Sequence, residues 1–317
     1  MERRDFLEKT GKAVALAVAT GATGYLFHNR EIAADDTVLT KILNFRVTED
    51  SNFPALTLAK NEDHINALRA TLDAIGGIGR FVKKGERVTL KPNVGWDRTP
   101  AQAANTNPDL VAEMVRQCLE AGAKEVIVTD ITCNDARRTF LRSGIKEAAE
   151  KAGARLILPS ENDYIETNLN GKLLTSWPVL KYFIETDRLI NMPIVKHHSL
   201  SSCTVGMKNL YGILGGPRYQ LHQQIDQSIV DLTRFATPTL TVIDATRVLM
   251  RSGPQGGSLD DVSIQHTVMC ATDPVAGDAR SSEFLGLSPD KVSHIMLAEK
   301  SELGTADYNK AGYKEIA

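Results

Sequence analysis

The chain has 317 residues, 42% hydrophobic and 24% charged, with 37 Lys and Arg against 39 Asp and Glu. A formal net charge of −2 lacks the basic face that nucleic acid requires, and the length suffices for one large α/β domain or two small ones with a substantial core. The four cysteines, Cys118, Cys133, Cys203 and Cys270, are far apart without a CxxC pair, which excludes the tight spacing of a ferredoxin-type cluster.

In chain order, the head comes first. Arg3 and Arg4 stand beside Asp5, Phe6 and Leu7, and Ala13 to Phe27 form an apolar run diluted by Thr20, Gly21, Thr23 and Gly24. That run has the length of a signal-peptide core and is too short to span a hydrocarbon layer of ~30 Å comfortably. The head resembles a twin-arginine translocation signal over residues 1–34. The resemblance implies folding in the cytoplasm, the twin-arginine translocase as partner, and a periplasmic or extracellular destination, with membrane anchoring if the signal stays uncleaved. Ile32, Ala33 and Ala34 give the best small-residue cleavage pattern. No second membrane-spanning candidate follows, and the body from Glu31 onward carries a net charge of −4.

Residues 35–317 read as alternating strand and helix. An extended lead-in precedes a helix from about Glu62, and the cluster Gly76, Gly77 and Gly79 reads as a helix stop, because it does not open a helix straight after a strand. Arg87 to Leu90 is a short strand ending at Lys91, Pro92 and Asn93. Asn107, Pro108 and Asp109 cap a helix whose apolar stripe includes Leu110, Val111, Met114, Val115 and Cys118, a core position, and which Gly122 ends. Glu125 to Thr129 is a buried strand ending at Asp130, and about Asp135 to Ala152 is helical, closed by Gly153. Ala154 to Leu158, Arg188 to Val195 (interrupted by Pro193), Thr239 to Ile243 and His266 to Ala271 supply further strands. The stretch from about 161 to 187 is an irregular insertion with a hairpin signal at Asn170 and Gly171. The predicted fold is α/β, a mostly parallel open sheet with helices on both faces and this small insertion.

Polar residues collect where strands end: Lys91 and Asn93, Asp130, Lys196 with His197 and His198, and Asp244 with Arg247. In open α/β sheets ligands bind outside the carboxyl ends of strands. The densest block is Ile190 to His222, where Lys196 ends a strand and Lys208 and Asn209 follow within a glycine-rich stretch. Two lysines, hydroxyls at Ser199, Ser201, Ser202 and Thr204, and exposed backbone amides favour a small anion, carboxylate or phosphate. His197 and His198 are adjacent, so at most one enters a given site. His197 is also a candidate metal ligand, together with Asp273 and Asp278, although no HxH or HExxH spacing supports a metal. His222 and His266 are possible partners across the fold.

The motifs KPNVG at Lys91 to Gly95, NMPIVKHHS, VGMKNLYG and DPVAGD at Asp273 to Asp278 follow in this order. Together they resemble the DUF362 family over most of residues 85–300. The resemblance implies an α/β domain, carries over Lys91, Asn93, Lys196, His197, Lys208, Asn209, Asp273 and Asp278, and lends no reaction. Some relatives carry an iron–sulfur module, which this chain lacks. A more distant similarity is to nickel-dependent racemases.

The leading expectation is an enzyme acting on a small anion, with Lys208 or Lys196 as base or Schiff-base nucleophile and Asp130 or Asp244 as the complementary acid or a metal-facing carboxylate. Lys91, Asn93, His197, Asn209, Asp244 and Arg247 would bind the substrate. The alternative is a non-catalytic anion- or metal-binding protein, or a redox accessory protein. An iron–sulfur cluster would need Cys133, Cys203 and Cys270 to converge.

Overall fold

A computed structural model describes residues 39–316 apart from 41 and 49, so the twin-arginine head lies outside the described residues. Among the described residues no helix is long and apolar enough to cross a membrane. The strands are β1 (Leu39–Thr40), β2 (Leu43–Asn44), β3 (Leu56–Lys60), β4 (Arg87–Pro92), β5 (Glu125–Thr129), β6 (Arg155–Ile157), β7 (Tyr164–Asn168), β8 (Ser176–Leu180), β9 (Arg188–Met192), β10 (Ile194–His198), β11 (Ser202–Thr204), β12 (Ala236–Thr237), β13 (Leu240–Leu249), β14 (Val262–Ala271) and β15 (Tyr313–Ile316).

The main sheet runs β15-β3-β14-β13-β9-β4-β5-β6, with β10 and β11 attached beside the far half of β13. From β13 to β6 every pairing is parallel. These strands are short and apolar on both sides, as burial under helices on two faces requires. Helices His64–Ala74, Pro108–Glu120 and Ile145–Lys151 cover one face through Leu68, Leu72, Val111, Met114, Val115 and Ile145. Helices Ile225–Phe235, Pro274–Ser282 and Ser293–Lys300 cover the other through Ile229, Leu232, Val275, Ala279 and Ile295.

The order of the parallel strands positions the site. From β4 the chain steps outward to β5 and β6, then returns to lay β9 on the opposite side of β4 and β13 beyond it. Neighbours β4 and β9 therefore send their connections in opposite directions, and a crevice opens at their carboxyl ends, the switch point where open α/β sheets bind ligands.

Four expectations require correction. The strand from Arg188 to Val195 is two strands, because Pro193 lacks the donor that would continue the ladder; Lys196 lies inside the second of them. The helix from Asp135 to Ala152 is two helices, Ala136–Arg142 and Ile145–Lys151, broken at Ser143 and Gly144. Strand β13 does not stop at Ile243 but continues to Leu249. Strand β14 begins at Val262 and not at His266; it runs antiparallel to β13, since the segment between them holds no α-helix to provide the crossover that parallel pairing needs. In the insertion, β7 and β8 form an antiparallel hairpin with Asn170 at φ 51° in its turn.

Candidate functional site

Four stretches of chain wall a cavity of about 610 Å³ at the switch point: the exit of β4, the exit of β5, the segment from β10 through residue 222, and Pro254 beyond β13. Lys91, Lys196 and Lys208 all line it, with Asn93, Asp130 and Asn209. All three lysines are at most 7% exposed. Burying an ammonium group is costly unless its protons are bonded, so the partners of each lysine define what it can do.

An ammonium group has three protons to donate. Lys91 uses three, to Asp130 Oδ1 at 2.6 Å, Pro92 O at 3.1 Å and Asn209 Oδ1 at 3.3 Å. The carboxylate opposes the desolvation that pulls the Lys91 amine below its ordinary value. Asp130 also accepts from the Val94 amide at 2.7 Å, and is thus an ion-pair partner, not the free acid expected from the sequence. Lys196 uses two protons, to Asn93 Oδ1 at 2.9 Å and Ala104 O at 2.6 Å, both uncharged acceptors. Desolvation brings its amine down to about 7. Lys208 has no hydrogen-bond or carboxylate partner among the described residues; its Nζ lies 3.6 Å from the centre of the Tyr211 ring. Desolvation, with Lys196, Arg218 and Lys91 as neighbouring cations, brings it also to about 7.

A chain of three asparagines holds the lysines in place. Asn209 makes all four bonds its amide allows, accepting from Lys91 and from Asn93 Nδ2 at 2.9 Å and donating to Lys91 O at 3.2 Å and Asn191 Oδ1 at 2.8 Å. Asn191 donates onward to Gly206 O at 2.9 Å. Directly over the Lys91 and Asp130 pair lies Gly212, where a Cβ would overlap Asp130 Oδ1 and sit 2.6 Å from Lys91 Nζ. The segment carrying Gly212 is tied to the β5 exit by Arg218, which donates to Ile131 O at 2.9 Å and Thr132 O at 2.7 Å.

Of the adjacent pair it is His198, not His197, that lines the cavity, together with His222. His198 Nδ1 accepts from the amides of Leu200 at 3.1 Å and Ser201 at 3.3 Å. It therefore cannot carry a proton there, which leaves Nε2 as the protonated nitrogen of a neutral ring. Burial and the nearby Lys208 push its pKa down to about 3. His222 lies stacked 6.2 Å from it, and His266 instead meets His64, 3.1 Å between ring nitrogens.

Several expected site residues lie elsewhere. His197 Nδ1 accepts from the Gly253 amide at 3.2 Å, outside the cavity. Asp244 sits in mid-strand, where it accepts from Thr246 N at 2.9 Å, Thr246 Oγ1 at 2.7 Å and Asn107 N at 2.8 Å; Arg247 follows on the same continuing strand and is also absent from the cavity wall. Asp273 caps helix Pro274–Ser282 by accepting from Val275 and Ala276. Asp278 accepts from Gly206 N at 2.8 Å and Met207 N at 3.2 Å, and so anchors the turn that carries Lys208 and Asn209. Burial pushes its carboxyl up to about 7. Among the described residues no group of three or more His, Cys, Asp or Glu is placed to hold a metal ion. Cys203 and Cys270 belong to the cores of opposite sheet faces while Cys133 is exposed at the cavity, so the three do not converge.

Asn191, Tyr211 and Arg218 escaped the sequence reading. A polar residue inside the buried strand RLINM was the available signal for Asn191, since a buried amide needs partners. Tyr211 and Arg218 come from a segment of short helical turns without periodicity; Tyr211 stands inside the VGMKNLYG motif without a role assigned to it, and nothing in the sequence marked Arg218.

Among curated proteins, the chain is 26% identical over 242 residues to a thylakoid-associated protein of Synechocystis sp., covering 74% of each chain. Among solved structures it is similar to the lactate racemase apoprotein from Thermoanaerobacterium thermosaccharolyticum, with a TM-score of 0.43, 9% identity, and coverage of 76% of this chain and 57% of that one. A protein from Thermotoga maritima gives a TM-score of 0.33 and 12% identity over 75% of this chain and 59% of the other. The chain thus spans less than two thirds of the length of either solved relative. Residues 88–283 match the domain of unknown function DUF362, a stretch that contains every residue of the cavity wall, and the chain belongs to the DUF362 family.

Proposed function

We propose that this chain is an exported enzyme acting on a small anion, a carboxylate or a phosphate, in the switch-point cavity. The division of labour among the lysines carries the reading. Lys91 spends all its protons on protein acceptors and is a fixed ammonium neutralised by Asp130. Lys196 is held by uncharged oxygens, so its charge is free to orient an anion. Lys208, without a hydrogen-bond partner among the described residues and with its amine brought down to about 7, is the group that exchanges a proton with bound substrate, because proton transfer works best when the catalytic group titrates near the working pH. Export through the twin-arginine route rests on Arg3 and Arg4 and the apolar run behind them.

The test is thermal unfolding in the presence of phosphate, sulfate or malonate. A ligand at a hundred times its Kd adds about 2.7 kcal/mol, which raises the Tm measurably. Lys208→Ala should shrink that rise by removing one cation from the cavity. Absence of any rise with all three anions would overturn the reading.

A further inference from the structure

We propose that Lys208 is a covalent capture site, its Nζ condensing with the carbonyl carbon of a small 2-oxo acid whose carboxylate lies towards Lys196. The proposal rests on the anion-site reading above and gives it a substrate class.

A nucleophilic amine needs an available lone pair, reach into the cavity and no competing acceptor. Lys91 fails because all three of its protons are bound, one of them to a carboxylate. Lys196 fails because two short bonds fix its amine to Asn93 and to the backbone. Lys208 meets the conditions: it lines the cavity, is 7% exposed, and its Nζ lies against the face of Tyr211 with no hydrogen-bond acceptor among the described residues. That contact favours the ammonium form, whereas desolvation and the cations around it favour the neutral amine. The Tyr211 hydroxyl bonds Leu221 O at 3.2 Å and Ile225 O at 3.1 Å, so it leaves the amine alone.

The carboxylate requirement follows from charge. Asp130, the carboxylate that lines the cavity, is committed to Lys91 and the Val94 amide. Lys196, with no carboxylate partner among the described residues, therefore pairs with one brought by the ligand. A carbonyl next to a carboxylate satisfies both lysines with one small molecule.

In the reaction the Lys208 lone pair forms a bond to the carbonyl carbon, and the carbonyl π pair moves to oxygen. The two amine protons transfer to that oxygen, the C–O bond breaks, and water leaves as the nitrogen lone pair completes C=N. One amine and one ketone give one imine and one water, with no oxidation or reduction.

The experiment incubates the whole chain with pyruvate or 2-oxoglutarate, reduces with sodium borohydride, and maps adducts by peptide mass spectrometry. The expected result is one secondary amine at Lys208, suppressed by excess malonate and absent from urea-unfolded protein and from Lys208→Arg. Lys208→Met serves as the second variant if the arginine does not fold. In parallel, malonate and phosphate are tested for a Tm rise in wild-type protein. Adducts scattered over surface lysines, or none with either oxo acid, overturn covalent capture, and an intact Tm rise then leaves the anion site standing. No adduct and no Tm rise overturn both readings.

Discussion

Replacing Gly212 with alanine should destabilise the protein more than an ordinary surface substitution by a wide margin. The added methyl would overlap Asp130 Oδ1 and lie 2.6 Å from Lys91 Nζ and 2.8 Å from Lys91 Cε. Backing away is obstructed, because the Gly212 carbonyl accepts from the Ile131 amide at 3.2 Å and its neighbours on both sides are buried. The group that yields is the ion pair, whose members are 0% and 3% exposed. Separating a buried pair costs about 3–5 kcal/mol, and the better helix propensity of alanine returns at most about 1 kcal/mol. The net expected loss is therefore about 2–5 kcal/mol. The assay is urea unfolding followed by circular dichroism, with Gly79→Ala as the control, since a Cβ at Gly79 meets nothing within 4 Å. Should Gly212→Ala fall within about 1 kcal/mol of wild type, the pair would not be confined as described.

Lys208→Met should be more stable than wild type near pH 6, with the advantage shrinking towards pH 10. The native amine titrates at about 7 against an ordinary value of 10.5, so between those values the unfolded chain holds the extra proton and wild-type stability rises with pH, by up to ~1.4 kcal/mol per unit; urea unfolding across that range reads it. Asp278→Ala leaves the buried Gly206 and Met207 amides without an acceptor at about 1–3 kcal/mol each, whereas Asp278→Asn keeps an acceptor oxygen and should lose far less, which thermal melts of the two variants will separate. Replacing Arg3 and Arg4 together with lysine should abolish export of a reporter fusion, and an unchanged periplasmic signal would remove the twin-arginine assignment.

What the sequence made legible was the recurrence of charge at strand exits. Lys91 and Asp130 each follow a buried apolar run, and parallel pairing of β4 with β5 brings those exits side by side. Lys196 was legible for the same reason, although it lies inside β10 and not at a strand exit. Which of His197 and His198 enters was not, because adjacent residues on a strand face opposite ways and a shift of one position exchanges them; His198 lines the cavity because it shares its face of β10 with Lys196, two residues before it. Asp244 misled because an acidic residue after an apolar run looks like an exit, while here Thr246 and Asn107 satisfy it and the strand continues. Asp273 and Asp278 sit in a motif that looks chemical, yet their carboxylates bond backbone amides. Partners separated by dozens of residues leave no local trace.

The pairing of Val88 with Arg188 across β4 and β9 also dictates when the cavity comes into being as the chain folds. Lys91 and Asp130 lie 39 positions apart and belong to adjacent strands of one βαβ unit, so they can meet early. Lys196 and Lys208 arrive only after a loop of about a hundred residues closes, the kind of non-local contact that slows folding. If that βαβ unit closes first, Lys91 is already neutralised when the other two lysines approach, and their mutual repulsion falls on the closing step. Salt that screens it should speed that step more than any earlier one.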